Sequence, residues 1–283
     1  MKAIYLDCIS GISGDMTLGA LIDMGADSSY IVDHLRKLPV DPFEIKIHKI
    51  IKLGINATKL EINFPLSSEN SEHIHSHEHS HEHGHNHSHD HVHGHGHNHS
   101  HEHGHDHVHR SAAMILEMIE QSDLPPRVKE RSLAIFKEIA IAEGKIHGVD
   151  PSDVHFHEVG AMDSIIDTIG VCLALESLGI DDIYASPVPT GSGKKWMAHG
   201  LYPIPAPATM ELLKGIPLAE LNVKGELTTP TGAGILRALV KEFILPGGFT
   251  VEEIGYGAGE KDFDHPNVLR VMLITPSDLK KKH

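Results

Sequence analysis

The chain of 283 residues contains only two cysteines, Cys8 and Cys172, and they form no Cys-x-x-Cys pair. A disulfide framework is therefore not expected, and a cytoplasmic location is the default prediction. No apolar run approaches 18 residues, which argues against a membrane span. The first residues lack the apolar region and small-residue cleavage site of a signal peptide and indicate a strand instead.

Positive charge is also scarce. Lysine and arginine number 24 against 39 aspartates and glutamates, which gives a formal net charge of −15. A nucleic-acid-binding surface would normally be basic, so a nucleic-acid partner is not expected.

Histidine is the residue in excess, with 27 copies. Most of them occupy every second position of one segment, which has no apolar face to bury and is predicted to be a disordered insertion over 69–110. Neutral imidazole binds nickel, zinc, copper and cobalt, so the segment is predicted to bind many divalent ions. The predicted ligands of this His-rich tract are His73, His75, His77, His79, His81, His83, His85, His87, His89, His91, His93, His95, His97, His99, His101, His103, His105, His107 and His109.

The rest of the chain has the pattern of a mixed α/β protein. Residues 1–68 predict a small α/β unit, with a strand at Ala3–Leu6, a helix after Ser28 as N-cap, and a hairpin. Residues 111–283 predict an α/β lobe that begins with helices. The predicted fold class is therefore α/β, of the mixed α+β kind. Two lobes are expected, with the insertion between them. Alternatively, residues 111–283 pack with residues 1–68 as one domain.

A first candidate site surrounds the segment 155–158. If this segment is extended, His155 and His157 point to one face, with Glu158 beside them. Asp163 and Asp167 are spaced i, i+4 and share one face of the following helix. These groups could converge on a metal ion. The alternative is structural: Asp163 caps the helix and the histidines bond to the backbone.

A second candidate site follows the first strand. Asp7 ends that strand, and Ser10, Ser13 and Asp15 lie in the turn that leads into a helix. This position often provides ligand contacts in α/β proteins. Helix capping explains the same residues equally well.

Two Gly-rich or Thr-rich segments could bind an anion. Thr190–Lys195, with His199 downstream, can form a nest of backbone donors but fails the P-loop spacing. Glu226–Gly234 offers hydroxyls at a helix start. The candidate anion-binding residues are Gly191, Ser192, Gly193, Lys194, Thr229 and Thr231.

Several stretches together resemble one family, the nickel-insertion proteins of nickel-pincer cofactor biosynthesis (the LarC family). They span nearly the whole chain outside the tract, and a His-rich insertion is also typical of the family. The matching stretches are Leu6–Asp7 through Gly11–Met16, His155–Ile165, Pro187–Gly193, His199–Gly200 with Pro203–Thr209, Thr229–Gly232, and Gly255–Gly259 through Asn267–Arg270.

The resemblance implies a lyase-type nickel chelatase, or cyclometallase. Such proteins insert Ni²⁺ into pyridinium-3,5-bisthiocarboxylic acid mononucleotide, using CTP with Mg²⁺ or Mn²⁺ and releasing CMP and pyrophosphate. The product serves lactate racemase and related acceptor enzymes. Family members usually continue into a C-terminal domain implicated in CTP binding. Here that domain could be lost, could be truncated from a longer chain, or could be supplied by a separate C-terminal polypeptide as a partner.

On this hypothesis the candidate residues take definite roles. His155, His157, Glu158, Asp163 and His199 would bind nickel, and Asp7 or Asp15 would accept the ring proton. The Gly191–Lys195 loop would contact the phosphate or the thiocarboxylates of the precursor. The alternative function is a non-catalytic nickel or zinc store or chaperone. The sequence leaves the oligomeric state open, a homo-oligomer included.

Overall fold

The computed structural model describes residues 2–65, 110–156, 159, 161–197 and 199–276. Residues 2–64 and the described residues from 110 onward belong to one compact unit. The His-rich tract, His157 and Glu158 lie outside the described residues. Within the described residues, no helix is both long and apolar enough to cross a membrane.

The described residues form seven α-helices and ten strands. The helices are α1 (Gly14–Asp23), α2 (Ser28–Leu35), α3 (Ala112–Gln121), α4 (Pro126–His147), α5 (Met162–Ser177), α6 (Pro207–Leu212) and α7 (Pro230–Leu239). The strands are β1 (Ala3–Asp7), β2 (Glu44–Lys52), β3 (Ile55–Asn63), β4 (Asp182–Ala185), β5 (Gly191–Ser192), β6 (Lys194–Met197), β7 (Gly200–Pro203), β8 (Gly225–Glu226), β9 (Phe249–Ala258) and β10 (Val268–Pro276).

Six strands form one mixed sheet in the order β2-β3-β9-β10-β1-β4. The strand β1 is antiparallel to β10 and parallel to β4. Strands from before and after the tract therefore share one sheet, which confirms the predicted mixed α/β fold. Two further two-stranded sheets, β5-β8 and β6-β7, lie in the loop-rich region after β4.

Alternation along β1 divides its side chains between two clusters. Ile4 and Leu6 are buried in the main core, whereas Ala3 and Tyr5 belong to a smaller cluster. This is the period-2 pattern expected of a strand with different neighbours on its two faces.

The helix α1 packs directly on the sheet over β3 and β9, and α5 packs on α1, α2 and α4. The interior between these helices is apolar: α5 buries nearly its whole length. Phe156 is buried and lies 6.2 Å from Phe136 of α4 between ring centroids. The apolar run of α5, rather than a one-sided pattern, is what a helix surrounded by other helices requires.

One capping prediction was wrong. Ser28 is the first residue of α2, and Asp27 is its N-cap. The carboxylate Oδ1 of Asp27 accepts hydrogen bonds from the backbone N–H groups of Ser29 and Tyr30, at 3.0 and 3.1 Å. A carboxylate can accept both bonds at once, and its charge is also favourable at a helix N-terminus.

Candidate functional site

The turn between β1 and α1 is held by the segment that leads into α7. The backbone N–H of Ile12 donates to the carbonyl of Leu227, and the N–H of Thr229 donates to the carbonyl of Ile12, both at 3.0 Å. Gly11 has a φ of +84°, and a Cβ there would lie 2.0 Å from the carbonyl oxygen of Leu227. Only glycine fits this position, so two distant predicted loops meet through their backbones.

Ser10 is fully buried in this turn. Its hydroxyl lies 2.6 Å from Nε2 of His265 and donates to Oδ1 of Asn267 at 3.3 Å. The ring of His265 stacks on Phe263 with centroids 5.4 Å apart. Ser10 therefore fixes the loop after β9 against the turn, and sequence reasoning had no signal for His265 as its partner.

The start of α1 carries a carboxylate with two polar partners. Ser13 is the N-cap of α1, and its hydroxyl also donates to Oδ1 of Asp15 at 2.5 Å. The other oxygen, Oδ2, accepts from Nζ of Lys59 on β3 at 3.2 Å. The side chain of Asp15 is 27% exposed. Asp15 is thus positioned by two groups while it still reaches solvent.

Asp167 of α5 lies beside this carboxylate. A Cβ on Gly14 would be 2.7 Å from Cβ and 2.9 Å from Oδ2 of Asp167, so the missing side chain at Gly14 makes room for the carboxyl group. Part of Asp167 reaches solvent. Its Oδ1 is nonetheless buried and has no hydrogen-bond partner. An unsatisfied buried oxygen is unusual and commonly marks a functional group.

The environment of Asp167 makes its carboxylate a stronger base than that of a free aspartate. Burial raises the pKa of Asp167 well above its ordinary value of 3.8, and the nearby carboxylates of Asp15 and Asp163 raise this pKa further. The ammonium of Lys59 acts in the opposite direction. Two acids side by side with one raised pKa are a common arrangement for proton transfer.

Asp167→Asn is expected to change how stability depends on pH. A raised pKa in the folded state means that folding stability falls as pH rises from about the ordinary value through the raised one. Asparagine has no such proton, so the variant should gain in free energy of unfolding relative to the parent as pH rises. Urea unfolding of both proteins from pH 4 to 8 measures the difference in their free energies of unfolding. Both proteins carry the same histidines, so the titration of the histidines cancels in this difference. If the free energies of unfolding of the parent and the variant change with pH in parallel, the raised pKa of Asp167 is contradicted.

Asp7 is engaged in an ion pair at the end of β1. Its Oδ2 accepts from Nε of Arg270 at 2.9 Å and also from Nη2 of the same guanidinium. These residues are cross-strand partners in β1 and β10. The ion pair raises the pKa of Arg270, chiefly through its hydrogen bond with Asp7. Asp7 is therefore held on the sheet by a charged partner that the sequence did not reveal.

The candidate anion-binding residues lie in two neighbouring places. Gly191 and Ser192 form β5, which pairs with β8 just before α7. The hydroxyl of Ser192 donates to the carbonyl of Val223 at 2.7 Å. Thr229 is the N-cap of α7 and accepts from the N–H of Gly232 at 3.2 Å.

The remaining anion candidates differ in exposure. Gly193 and Lys194 are exposed, whereas Thr231 is buried. Lys195, the next residue, pairs with Glu226 at 3.0 Å. The structure thus brings the Gly191 loop and the start of α7 together, with Ser192 and Thr229 already bonded within the fold.

The predicted metal ligands are spread over several elements. His155 is exposed and bridges Ser111 through its backbone, while the next residue, Phe156, is buried, as the predicted extended segment requires. Asp163 lies in the first turn of α5, and its Oδ1 accepts from the N–H of Ser164. Among the described residues no group of three His, Cys, Asp or Glu side chains is arranged to hold a metal ion. The ligand set, which includes His157 and Glu158, stays a prediction.

His199 lies between β6 and β7 and faces the end of α4. Its ring centroid is 5.2 Å from that of His147. Nε2 of His147 lies 3.2 Å from Oε2 of Glu143 on the same helix. The structure therefore brings His199 to two residues that were not among the sequence candidates.

The two cysteines carry no reactive thiol. Cys8 and Cys172 are both buried and unbridged. Burial raises the pKa of Cys8 to about 12 and that of Cys172 to about 11. Neither thiol is the thiolate that nucleophilic chemistry or metal binding needs.

Comparison with known families identifies the chain's relatives. Residues 4–283 match the family described as nickel insertion protein. The chain belongs to this family. No solved structure is significantly similar to it.

Several curated relatives of the nickel insertion family are similar along almost the whole chain. Staphylococcus saprophyticus has a pyridinium-3,5-bisthiocarboxylic acid mononucleotide nickel insertion protein that is 49% identical over 98% of this chain and 61% of its own length. A protein of the same name from Geobacillus kaustophilus is 43% identical over 96% of this chain and 60% of its own length. A putative nickel insertion protein of Rippkaea orientalis is 41% identical over 96% and 60%. The chain thus spans about 60% of the length of these relatives.

The structure brings several of the family-like sequence motifs to one location. The turn at Gly11, the segment before α7 and the loop after β9 are distant in sequence, yet they meet at one end of β1. Sequence reasoning did find Asp15 and Asp167 separately. It placed Asp167 with the histidines because spacing within one helix says nothing about which other helix packs against it.

Proposed function

We propose that the chain inserts Ni²⁺ into pyridinium-3,5-bisthiocarboxylic acid mononucleotide, as a lyase-type cyclometallase. The observation that carries this proposal is the 49% identity, over 98% of the chain, to a protein named for that reaction. Nickel is the substrate ion here. The neighbouring carboxyl groups of Asp15 and Asp167 give the same proposal a chemical basis.

The reaction needs a proton acceptor. Two thiocarboxylate sulfurs donate electron pairs to Ni²⁺, and formation of the Ni–C bond replaces a ring C–H bond, whose hydrogen leaves as a proton. A general base works best when its pKa lies near the working pH. Burial raises the pKa of Asp167, and Asp15 beside it reaches solvent. We therefore assign proton acceptance to the Asp15–Asp167 pair.

Asp7 is less suited to this task than Asp15. Both of its side-chain hydrogen bonds come from the guanidinium of Arg270, so this carboxylate is already engaged in an ion pair on the sheet. We propose that this ion pair holds the end of β1 in place below the turn that carries Asp15.

The precursor's phosphate could be recognised near the start of α7. Lys194 provides an exposed positive charge, and the N-terminus of α7 provides a partial one. Square-planar nickel suits nitrogen donors, and the soft thiocarboxylates complete its coordination. Of the predicted ligands, His155, Asp163 and His199 are exposed and accessible to such an ion.

Several polar side chains of the Gly191 loop and the start of α7 already have partners within the fold. The hydroxyl of Ser192 is bonded to Val223, Thr229 caps α7, and Lys195 pairs with Glu226, whose side chain is only 5% exposed. We propose that CTP, with Mg²⁺ or Mn²⁺, binds the part of the family's length that this chain does not span.

Incubation with the precursor, Ni²⁺, CTP and Mg²⁺ tests the proposed reaction. Mass spectrometry should detect the nickel adduct, with formation in the absence of CTP as a control. An adduct that forms only after a relative's C-terminal segment is added would support CTP binding in the part of the family's length that this chain does not span. If no adduct forms under either condition while the chain still binds nickel, the protein is a nickel store or chaperone and the proposal is wrong.

Deletion of residues 73–109 separates supply of nickel from insertion. The tract is proposed to hold Ni²⁺ in reserve, so the deletion variant should insert nickel at the parent rate when Ni²⁺ is saturating. At limiting Ni²⁺ its rate should fall below that of the parent. A parent-like circular dichroism spectrum provides the control for folding. Loss of insertion at saturating Ni²⁺ would show that the tract takes part in the reaction itself.

A further inference from the structure

A pocket that is open to solvent lies between the end of α4, the β6–β7 hairpin, α6 and the first residue of α7. Its lining includes Glu143 and His147 at the end of α4, His199 between β6 and β7, and Thr209 of α6. Met197 of β6 also contributes. Nitrogen, oxygen and sulfur donors therefore face one space.

The two imidazoles have the separation that a shared ion requires. Their ring centroids are 5.2 Å apart and their planes are inclined by 60°. Two imidazoles that bind one ion in neighbouring positions have centroids roughly 4.5–5.5 Å apart, since metal–nitrogen bonds are about 2.0–2.1 Å long. His147 and His199 already stand at this distance.

Glu143 lies where it can orient the imidazole of His147 for binding a metal ion. Its Oε2 lies 3.2 Å from Nε2 of His147, one helical turn away. When Nε2–H donates to the carboxylate, the lone pair of the neutral ring is on Nδ1. A carboxylate behind a histidine in this way orients the ring and raises its basicity in metal sites.

Thr209 supplies an independent sign of a ligand. The residue is fully buried, and its Oγ1 has no hydrogen-bond partner, yet it lines the pocket. A buried hydroxyl without a partner costs about 1–3 kcal/mol. A ligand in the pocket, such as a metal-bound water, would provide the missing partner.

We propose that this pocket binds one divalent transition-metal ion through His147 and His199. Glu143 positions His147, and Thr209 hydrogen-bonds a water on the ion. Since the described residues contain no group of three acidic, histidine or cysteine ligands, the remaining positions are open to water or an incoming ligand. The choice of Ni²⁺ as the ion rests on the proposed function, and the open positions suit transfer to sulfur donors.

Trp196 allows the site to be tested in the full chain. It is the single tryptophan, it precedes Met197, and it is 74% exposed. Bound Ni²⁺ quenches a nearby indole, so titration with NiCl₂ should give a saturable loss of Trp196 fluorescence. His147→Ala and His199→Ala should each weaken this component at least tenfold. Glu143→Gln should weaken it by about 10–100-fold, as expected of a residue that orients a ligand.

His48→Ala is the matched control. His48 is also a partly exposed histidine beside a glutamate, 3.7 Å from Glu61, but it lies on β2. Replacement of His48 should leave the NiCl₂ titration of Trp196 fluorescence unchanged. The His-rich tract is present in every variant, so its binding of Ni²⁺ contributes equally to all of the titrations. Thr209→Val should weaken binding a few-fold without lowering the melting temperature measured with a chelator present.

The outcomes separate this proposal from the proposed function. Equal titration curves for the parent, His147→Ala and His199→Ala would overturn the pocket site, as would an equal loss in His48→Ala. If His199→Ala fails to fold, His199→Gln takes its place in the same comparison. Because the titration contains no precursor, a chain that binds Ni²⁺ here but forms no adduct would contradict only the proposed reaction.

Discussion

Asp167→Asn is expected to slow nickel insertion by about 10²–10⁴-fold, the usual contribution of a positioned general base. The amide has nearly the shape of the carboxyl group but cannot take up a proton. Asp15 remains in place with its bonds from Ser13 and Lys59, so the residual rate reports what Asp15 achieves alone. The rate of adduct formation at saturating Ni²⁺ and precursor, followed by mass spectrometry, measures the effect.

Two controls test whether the loss of rate comes from Asp167 as the general base. Asp33→Asn, at an exposed position of α2, should keep the parent rate. Unfolding in urea should show that Asp167→Asn is at least as stable as the parent at neutral pH, which excludes loss of fold as the cause. A rate within threefold of the parent would remove Asp167 from the proposed chemistry.

Gly257→Ala is expected to destabilise the protein by about 3 kcal/mol or more, at the upper end of the cost of overpacking. A Cβ at Gly257 would lie 1.8 Å from the carbonyl oxygen of Met16 and 2.6 Å from the backbone nitrogen of Ala20. Both atoms belong to the backbone of α1, so no rotation of a side chain can relieve the contact. The helix would have to move away from β9 and carry Asp15 with it.

Equilibrium unfolding in urea measures this loss, and Gly247→Ala is its control. A Cβ at Gly247 meets no atom within 4 Å, so that variant should differ from the parent by less than about 0.5 kcal/mol, as is usual for surface substitutions. Similar midpoints for the two variants would show that α1 does not lie on β9 as closely as described.

Much of the local structure could be predicted from the sequence. The hairpin β2–β3 and the helices α3, α4 and α5 follow from their apolar periods and their flanking Gly and Pro residues. His155 is exposed and Phe156 is buried, which agrees with an extended backbone at these two residues. These features depend on neighbours within a few residues, which a single sequence displays directly.

The tertiary structure alone decided which of these groups meet. Asp167 shares its helix face with Asp163, but its partner is Asp15, because α5 packs on α1 and Gly14 leaves space for a carboxyl group there. His199 likewise meets His147, a residue that the sequence gives no reason to select. The packing of whole elements against one another sets these distances, and hydrophobic periodicity carries no information about which element packs on which.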